Sequence, residues 1–147
     1  MGNAEKQLAA IPSSETGRTS QLAQALRVLI AAVKFQKHPS TLDPSLSSSL
    51  LAESYHAQSQ SKLDEALALA RAAAARSTNF GFAWARVAEL EFSFGRTAGA
   101  AAALDRALRI SPSNAPAAAL RGFVLAAQNR IPEAIRAFDQ AITLDGA

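Results

Sequence analysis

Trp84-Ala85-Arg86-Val87-Ala88 is the segment from which the fold is inferred, because the positions after it recur at a constant spacing of 34 residues. Placed above Ala118-Ala119-Leu120-Arg121-Gly122, it brings small and bulky apolar positions into common columns. The columns pair Trp84 with Ala118, Ala88 with Gly122, Gly95 with Asn129, Ala100 with Ala134, Leu104 with Phe138, Ala107 with Ala141 and Pro112 with Gly146. A fixed period of this kind indicates a repeat protein whose units stack on one another.

A weaker copy of the pattern lies one period upstream. Its columns hold Leu50, Ser54, Ala57, Ser61, Ala66, Ala70, Ala73 and Thr78. Small residues recur where two helices must approach closely, and the bulkier Leu104 and Phe138 fill the space between them, as close packing requires. The sequence therefore contains about three repeats.

These columns resemble the pattern of the tetratricopeptide repeat family over about residues 46–147. In the second repeat the matching residues are Trp84, Val87, Ala88, Gly95, Ala100, Leu104, Ala107 and Pro112. In the third repeat they are Gly122, Leu125, Ala134, Phe138 and Ala141, whereas Ala118 and Arg121 depart from the pattern.

The resemblance implies an all-α fold: a right-handed superhelical stack of antiparallel helix pairs, an α-solenoid of about three repeats plus an N-terminal helix. Helices are predicted at about 46–59, 62–76, 80–94, 97–110, 114–128 and 131–144. The predicted helix N-caps are Ser61, Asn79 and either Ser113 or Asn114, while Gly95 and Pro112 mark helix ends. We expect Trp84 to lie in the core.

The chain divides into three parts by composition. Residues 1–19 are expected to form a flexible lead-in. Residues 20–45 are expected to form an amphipathic helix, at about 20–37, and a loop. This segment is at best a degenerate repeat. Its apolar face consists of Leu22, Leu26, Leu29, Ile30 and Val33. Three repeats are expected to follow at 46–79, 80–113 and 114–147.

The last predicted helix is more apolar than one packing face requires. Its large apolar residues are Ile131, Ile135, Phe138, Ile142 and Leu144. Terminal repeats need a polar outer face for solubility. We therefore expect the chain to be a fragment of a longer repeat protein; the alternative is that this helix pairs with a second copy.

Composition excludes several classes of function. The chain has no cysteine, which rules out thiolate catalysis and cysteine-ligated metals, and its two histidines, His38 and His56, have no ligand partners at metal-site spacing. No phosphate-binding glycine loop or nucleophile motif is found. The net charge of +3 comes from scattered basic residues, which argues against nucleic-acid binding. We expect a protein that is not an enzyme and uses no cofactor or metal; neither a signal peptide nor a transmembrane segment is seen, so no compartment is assigned.

Resemblance to the family also predicts which residues line a concave groove, namely those projecting inward from the first helix of each repeat. The principal set is Leu51, Tyr55, Gln58, Phe82, Arg86, Glu89, Phe92, Ala119, Phe123 and Ala126, with Ser59, Ala85, Ser93 and Ala127 beside them. Four of these residues are aromatic and two are charged. The family's chaperone-tail binders grip a carboxylate with several Lys, Arg and Asn side chains, and only Arg86 resembles such a group here.

The sequence thus predicts a noncatalytic protein-protein interaction scaffold that binds an apolar or amphipathic partner segment in its groove, since aromatic anchors supply most binding energy. The alternative is a structural or homo-oligomerisation module excised from a longer protein. A homodimer would then form through the 20–37 helix or the C-terminal helix. The same helix could also fill the groove, in its own chain or in another.

Overall fold

The computed structural model describes residues 17–37 and 42–146, with side chains from residue 21 onward, and every regular element in these ranges is an α-helix. The seven helices are α1 (Gly17–Val33), α2 (Ser47–Ser59), α3 (Leu63–Arg76), α4 (Gly81–Ser93), α5 (Thr97–Ile110), α6 (Ala115–Ala127) and α7 (Ile131–Asp145). None of these described helices has the length and apolarity needed to span a bilayer.

The six helices predicted after residue 45 agree with α2–α7 to within one residue at either end. The N-terminal helix differs more: α1 begins at Gly17, three residues before its predicted start, and ends at Val33 rather than 37. Residues 1–16, most of the predicted lead-in, lie outside the described residues, as does His38.

The chain forms two compact units, residues 1–76 and 77–147. In the first unit, α2 packs against both α1 and α3. Ala25 and Val28 of α1 meet Ala52 of α2 in one buried cluster. On the other side of α2, the buried Ser54 hydroxyl donates a 2.8 Å hydrogen bond to the Ala66 carbonyl of α3.

In the second unit, α4 pairs with α5 and α6 pairs with α7, while α6 also lies against α4 and α5. The small-residue columns expected at close helix approaches are confirmed, because the alanines of both pairs are buried. These alanines are Ala88, Ala100, Ala107, Ala134 and Ala141.

The first helix of each repeat ends in the same hydrogen-bonded turn. Ser61, Gly95 and Asn129, at 34-residue intervals, have φ of 62°, 72° and 59°. After each of them the backbone N–H bonds back across the turn: Lys62 to Ala57 at 3.0 Å, Arg96 to Glu91 at 2.9 Å and Arg130 to Leu125 at 2.9 Å. This is the Schellman motif, which satisfies the last carbonyls of a helix. The prediction of Ser61 as a helix N-cap is therefore wrong, since Ser61 terminates α2.

Two other expectations need correction, and one is confirmed. Asn114 caps α6, because its side-chain oxygen accepts a 3.1 Å hydrogen bond from the Ala117 N–H. Asn79 does not cap α4, since Phe80 occupies the N-cap position without a side-chain hydrogen bond. Trp84 is only half-buried; its Nε1–H donates to the Thr78 carbonyl at 3.1 Å, and the Arg106 guanidinium lies 4.6 Å from its ring centroid.

Candidate partner-binding surfaces

The predicted groove residues fall on three helices, one in the first unit and two in the second. Leu51, Tyr55, Gln58 and Ser59 belong to α2. Phe82, Ala85, Arg86, Glu89, Phe92 and Ser93 belong to α4, and Ala119, Phe123, Ala126 and Ala127 belong to α6. Each unit therefore presents its own candidate surface.

In the first unit, a cavity of ≈ 680 Å³ lies between α1 and α2. Its volume falls within the range of about 300–1,000 Å³ that is typical of ligand sites. Its lining is Leu29, Ala32, Val33, Phe35, Tyr55, Gln58 and Ser59, and we call it the α1–α2 cavity. It contains three of the predicted groove residues, Tyr55, Gln58 and Ser59. The amide and hydroxyl groups are few among apolar walls, an arrangement typical of sites that accept an apolar group in a defined orientation.

Phe35 gives this cavity its outer wall, and sequence reasoning missed it because the helix was predicted to continue to 37. The residue has φ of 53°, a left-handed conformation that is uncommon for a bulky side chain. Hydrogen bonds from the Phe35 and Gln36 N–H groups to the Ala32 and Ala31 carbonyls, at 3.1 and 2.9 Å, close the turn. The Gln36 carbonyl also lies 3.2 Å from Nε2 of His56. His56 therefore ties the end of α1 to α2.

In the second unit, we give the name α4–α6 surface to seven predicted groove residues of α4 and α6: Phe82, Ala85, Glu89, Phe92, Ala119, Phe123 and Ala126. Phe82 and Phe123 stand out from it, with 55% and 56% of their surface exposed. The ring of Phe123 rests edge-on against Phe138 of α7, with centroids 5.0 Å apart and an interplanar angle of 77°. The Phe82 ring lies 6.2 Å from that of Phe80.

Arg86 does not lie on the surface where it was predicted. It is 1% exposed and is among the largest fully buried side chains, so it cannot act as a directly accessible partner-binding group. Its Nη1 donates a 2.8 Å hydrogen bond to Oε2 of Glu89, whose side chain is partly exposed. A buried guanidinium needs hydrogen-bond acceptors to offset the cost of its desolvation, and this bond to Arg86 positions the Glu89 carboxylate at the surface.

Glu89 and Glu91 of α4 do not form a carboxylate pair of the kind used in acid-base catalysis. Glu89 pairs with Arg86, whereas the buried Glu91 carboxylate lies 3.6 Å from Arg96, so the two carboxylates have separate partners. Within 17–37 and 42–146, no three His, Asp or Glu side chains gather as a metal site would require. Hydrogen bonds from Ser45 lower the pKa of Asp43, a local turn effect rather than a sign of a catalytic pair.

Comparison with known proteins supports the repeat pattern in the second unit. Residues 91–145 match the sequence model of the tetratricopeptide repeat. No curated protein matches the sequence.

Two solved structures are similar to the whole chain. A crystal structure of MamA has a TM-score of 0.67 at 17% identity, covering 97% of this chain and 85% of that one. A second, of MamA protein, has a TM-score of 0.63 at 18% identity, covering 98% of this chain and 74% of that one. Identities this low establish the fold alone. The resemblance expected from the sequence is confirmed: this chain has the tetratricopeptide repeat fold, and residues 91–145 carry the family's sequence pattern.

Proposed function

We propose that this protein is a noncatalytic scaffold that binds an apolar or amphipathic segment of a partner protein on the α4–α6 surface. The observation that carries the proposal is the exposure of Phe82 and Phe123 on adjacent helices. Aromatic side chains contribute most of the binding energy at many interfaces, and stacked helical repeats typically supply extended binding surfaces rather than catalytic sites.

Phe123 is suited to act as an anchor because its ring is already held. The edge-on contact with Phe138 restricts the side chain before any partner arrives. A side chain ordered in advance loses less conformational entropy on binding, so more of the contact energy appears as affinity. The half-buried Ala119 and Ala126 leave room beside it for a partner's side chains.

Glu89 supplies the charge on this surface. Its carboxylate accepts a hydrogen bond from the buried Arg86, and its side chain remains 42% exposed. A partner segment with a Lys or Arg next to its apolar residues would place that cation against Glu89. Arg86 thus influences the orientation of the partner segment indirectly, through Glu89, whereas the sequence predicted a direct contact.

The first unit offers a separate candidate site of its own. The α1–α2 cavity, bordered by Tyr55 and Gln58, is large enough for an apolar side chain. Tyr55 would pack on that side chain, and the Gln58 amide would bond to the partner's backbone.

A phage-displayed library of random peptides, selected on the immobilised protein, tests the proposal. We expect the recovered peptides to combine aromatic or large aliphatic residues with a nearby Lys or Arg. Fluorescence polarisation would then measure their affinity for wild type, for the double variant Phe82→Ser with Phe123→Ser, and for Ile131→Ser. Ile131 is an exposed apolar residue of α7 outside both surfaces, so its variant is the matched control.

Loss of both anchors should weaken binding by about tenfold or more, since each buried aromatic typically contributes over 1 kcal/mol, while the control binds normally. Equal affinity of the double variant and wild type, at unchanged helicity by circular dichroism, would overturn the proposal. Peptides bound only by Tyr55-dependent contacts would instead move the site to the first unit.

The second candidate function, a homo-oligomerisation module, is favoured by exposed isoleucines on α7. These residues lie on α7, apart from the α4–α6 surface.

A further inference from the structure

Helix α5 of the second unit borders two cavities that share one arginine, Arg109. The larger cavity, of ≈ 500 Å³, is lined by Asp105, Leu108, Arg109, Pro112, Arg121 and Gln140. The smaller one, of ≈ 340 Å³, is lined by Thr78, Trp84, Arg106, Arg109 and Ile110. We call them the arginine cavities, because their combined lining has three guanidinium groups and only one carboxylate, that of Asp105.

The positive charge of these cavities is not balanced by acidic residues of the unit. Within the described part of the chain, four arginines of the second unit make ion pairs: Arg86, Arg96, Arg121 and Arg130. The other three, Arg106, Arg109 and Arg136, make none in the same residues, and Arg136 lines neither cavity. Asp139 and Asp145, the remaining acidic residues of the unit, line neither cavity either. Arg106 and Arg109 are thus neighbouring exposed cations without a carboxylate.

Each of the three guanidinium groups is positioned but can still donate hydrogen bonds. Nε of Arg109 donates a 3.2 Å hydrogen bond to the Asp105 carbonyl, so its two terminal nitrogens remain. Nη2 of Arg121 lies 3.7 Å from Oδ1 of Asp105, which is too long for a hydrogen bond. The Arg106 guanidinium lies over the Trp84 ring, a contact that orders the side chain but gives it no oxygen acceptor. An oxyanion from outside the chain would supply the missing acceptors.

The repeat register shows that arginine is not needed at these positions for the repeats to stack. Arg121 departs from the family's pattern, and the residue one period upstream is Val87, which is buried. Arg109 corresponds to Ala75 one period upstream and to Thr143 one period downstream. The basic side chains therefore belong to the cavities and not to the repeated packing.

We propose that the arginine cavities bind an acidic segment of a partner protein. One carboxylate of the segment would lie between Arg109 and Arg121, and a second would reach Arg106. The occupant follows from charge complementarity, because guanidinium groups form strong charge-assisted hydrogen bonds with carboxylates. Two cavities joined at Arg109 call for two anionic groups on one strand, and Leu108, Pro112 and Ile110 offer apolar walls to the residues between them.

A protein segment is favoured over a nucleic acid. Single-stranded nucleic acids bind through aromatic rings on which their bases stack. Trp84 is the one aromatic residue of these two linings, and it is half-buried with Arg106 over its ring. This inference is independent of the α4–α6 surface, where we expect a cation of the partner to meet Glu89, so either proposal can fail alone.

Isothermal titration calorimetry of the full chain with synthetic peptides tests the proposal. The probes are acetylated and amidated peptides of about ten residues, built from Gly, Ser and Leu. They carry one glutamate, or two glutamates separated by one to four residues; matched peptides carry glutamine instead. We expect the best peptide with two glutamates to bind about tenfold or more tightly than its glutamine counterpart, and to weaken as salt is added.

Substitutions at the cavities identify the site. Arg109→Gln with Arg121→Gln should weaken the best peptide by about tenfold or more. The matched control, Arg27→Gln with Arg136→Gln, removes the same charge from exposed arginines outside both cavities and should change the affinity by less than about threefold. Arg106→Gln should weaken peptides with two glutamates and leave the peptide with one glutamate unaffected.

Three results would overturn the inference. In the first, glutamate and glutamine peptides bind equally or not at all. In the second, the control double variant loses as much affinity as the cavity variant. In the third, polyuridylate RNA binds more tightly than every peptide and loses its affinity with the same cavity variant, which would assign the cavities to a nucleic acid. Circular dichroism of each variant separates loss of binding from loss of folding.

Discussion

Gly122 of α6 lies directly under the ring of Phe138 in α7: a β-carbon at Gly122 would be 2.5 Å from Cε1 of that ring. The same two columns hold Ala88 with Leu104 in the preceding repeat, both buried. Glycine therefore faces the larger side chain, Phe138, and alanine faces the smaller one, Leu104. The two pairs fill one interhelical position in complementary ways.

Substitution Gly122→Ala should lower the free energy of unfolding by about 1–3 kcal/mol, because overpacking against the ring outweighs the helix propensity of alanine. The double variant Gly122→Ala with Phe138→Leu recreates the pair of the second repeat, so most of that loss should be recovered. Urea unfolding followed by circular dichroism measures both.

The matched control is Gly99→Ala. A β-carbon there would lie 3.3 Å from the Glu91 carboxylate, a contact that a shift of a few tenths of an ångström relieves. The gain in helix propensity should then stabilise by up to about 1 kcal/mol. If Gly122→Ala proves equally stabilising, the ring is not held against the glycine as described.

The turn after α4 should depend on the backbone of Gly95 and not on space around it. Its φ is 72°, and a β-carbon there would meet nothing within 4 Å. Gly95→Ala should therefore cost about 1–2 kcal/mol from left-handed strain alone. Gly95→Asn should cost less, since Asn129 adopts the same conformation one repeat later. Thermal unfolding of the two variants compares them, and equal losses would contradict this account.

The hydrogen bond between Arg86 and Glu89 should stabilise the folded protein, because it pairs a buried guanidinium with a carboxylate. Glu89→Ala removes a carboxylate from a buried guanidinium and should cost about 1–3 kcal/mol. Glu89→Asp, the shape control, should cost part of this if the shorter side chain still reaches Arg86. Fluorescence of Trp84, the single tryptophan and a residue of the same helix, follows the unfolding in urea. A Glu89→Ala variant as stable as wild type would show that other contacts suffice for Arg86.

The start of α7 should weaken in acid. A hydrogen bond from Arg130, with Nε 2.8 Å from Oε1, lowers the pKa of Glu133 below its ordinary value. A lowered carboxyl pKa stabilises the folded state above the ordinary pKa, and this contribution is lost as pH falls through the lowered value. Arg130→Gln should raise the pKa of Glu133 toward normal in a carboxyl-carbon NMR titration. The pKa of Asp43, lowered by Ser45, serves as the control and should not move.

Helix boundaries after residue 45 were predictable to within one residue because most of their signals are local, although Ser61 and Asn79 were wrongly assigned as N-caps. Gly95 and Asn129 occupy the position after a helix at a fixed period, and Asn114 begins one by capping it. The α1 boundary was missed because Phe35 carries no such signal: an aromatic residue seldom adopts a left-handed conformation. The α1–α2 cavity was missed with it.

The candidate surfaces were predicted less evenly. Phe82 and Phe123 are exposed, as a binding surface requires, and their position in a groove and their role in binding stay predictions. Arg86 shared the same helical face by periodicity and is buried nonetheless. Periodicity states which direction a side chain points, not whether another part of the protein covers it.

By itself the sequence determined the repeat period, the helices after residue 45 and the small-residue columns, because spacing and turn chemistry act over a few residues along the chain. Tertiary structure alone decided that Arg86 is buried, that Phe35 and Tyr55 line the same cavity, and that Ile135 and Ile142 are exposed. The physical reason is that burial depends on which helices meet across the fold, and residues far apart in the sequence set those contacts.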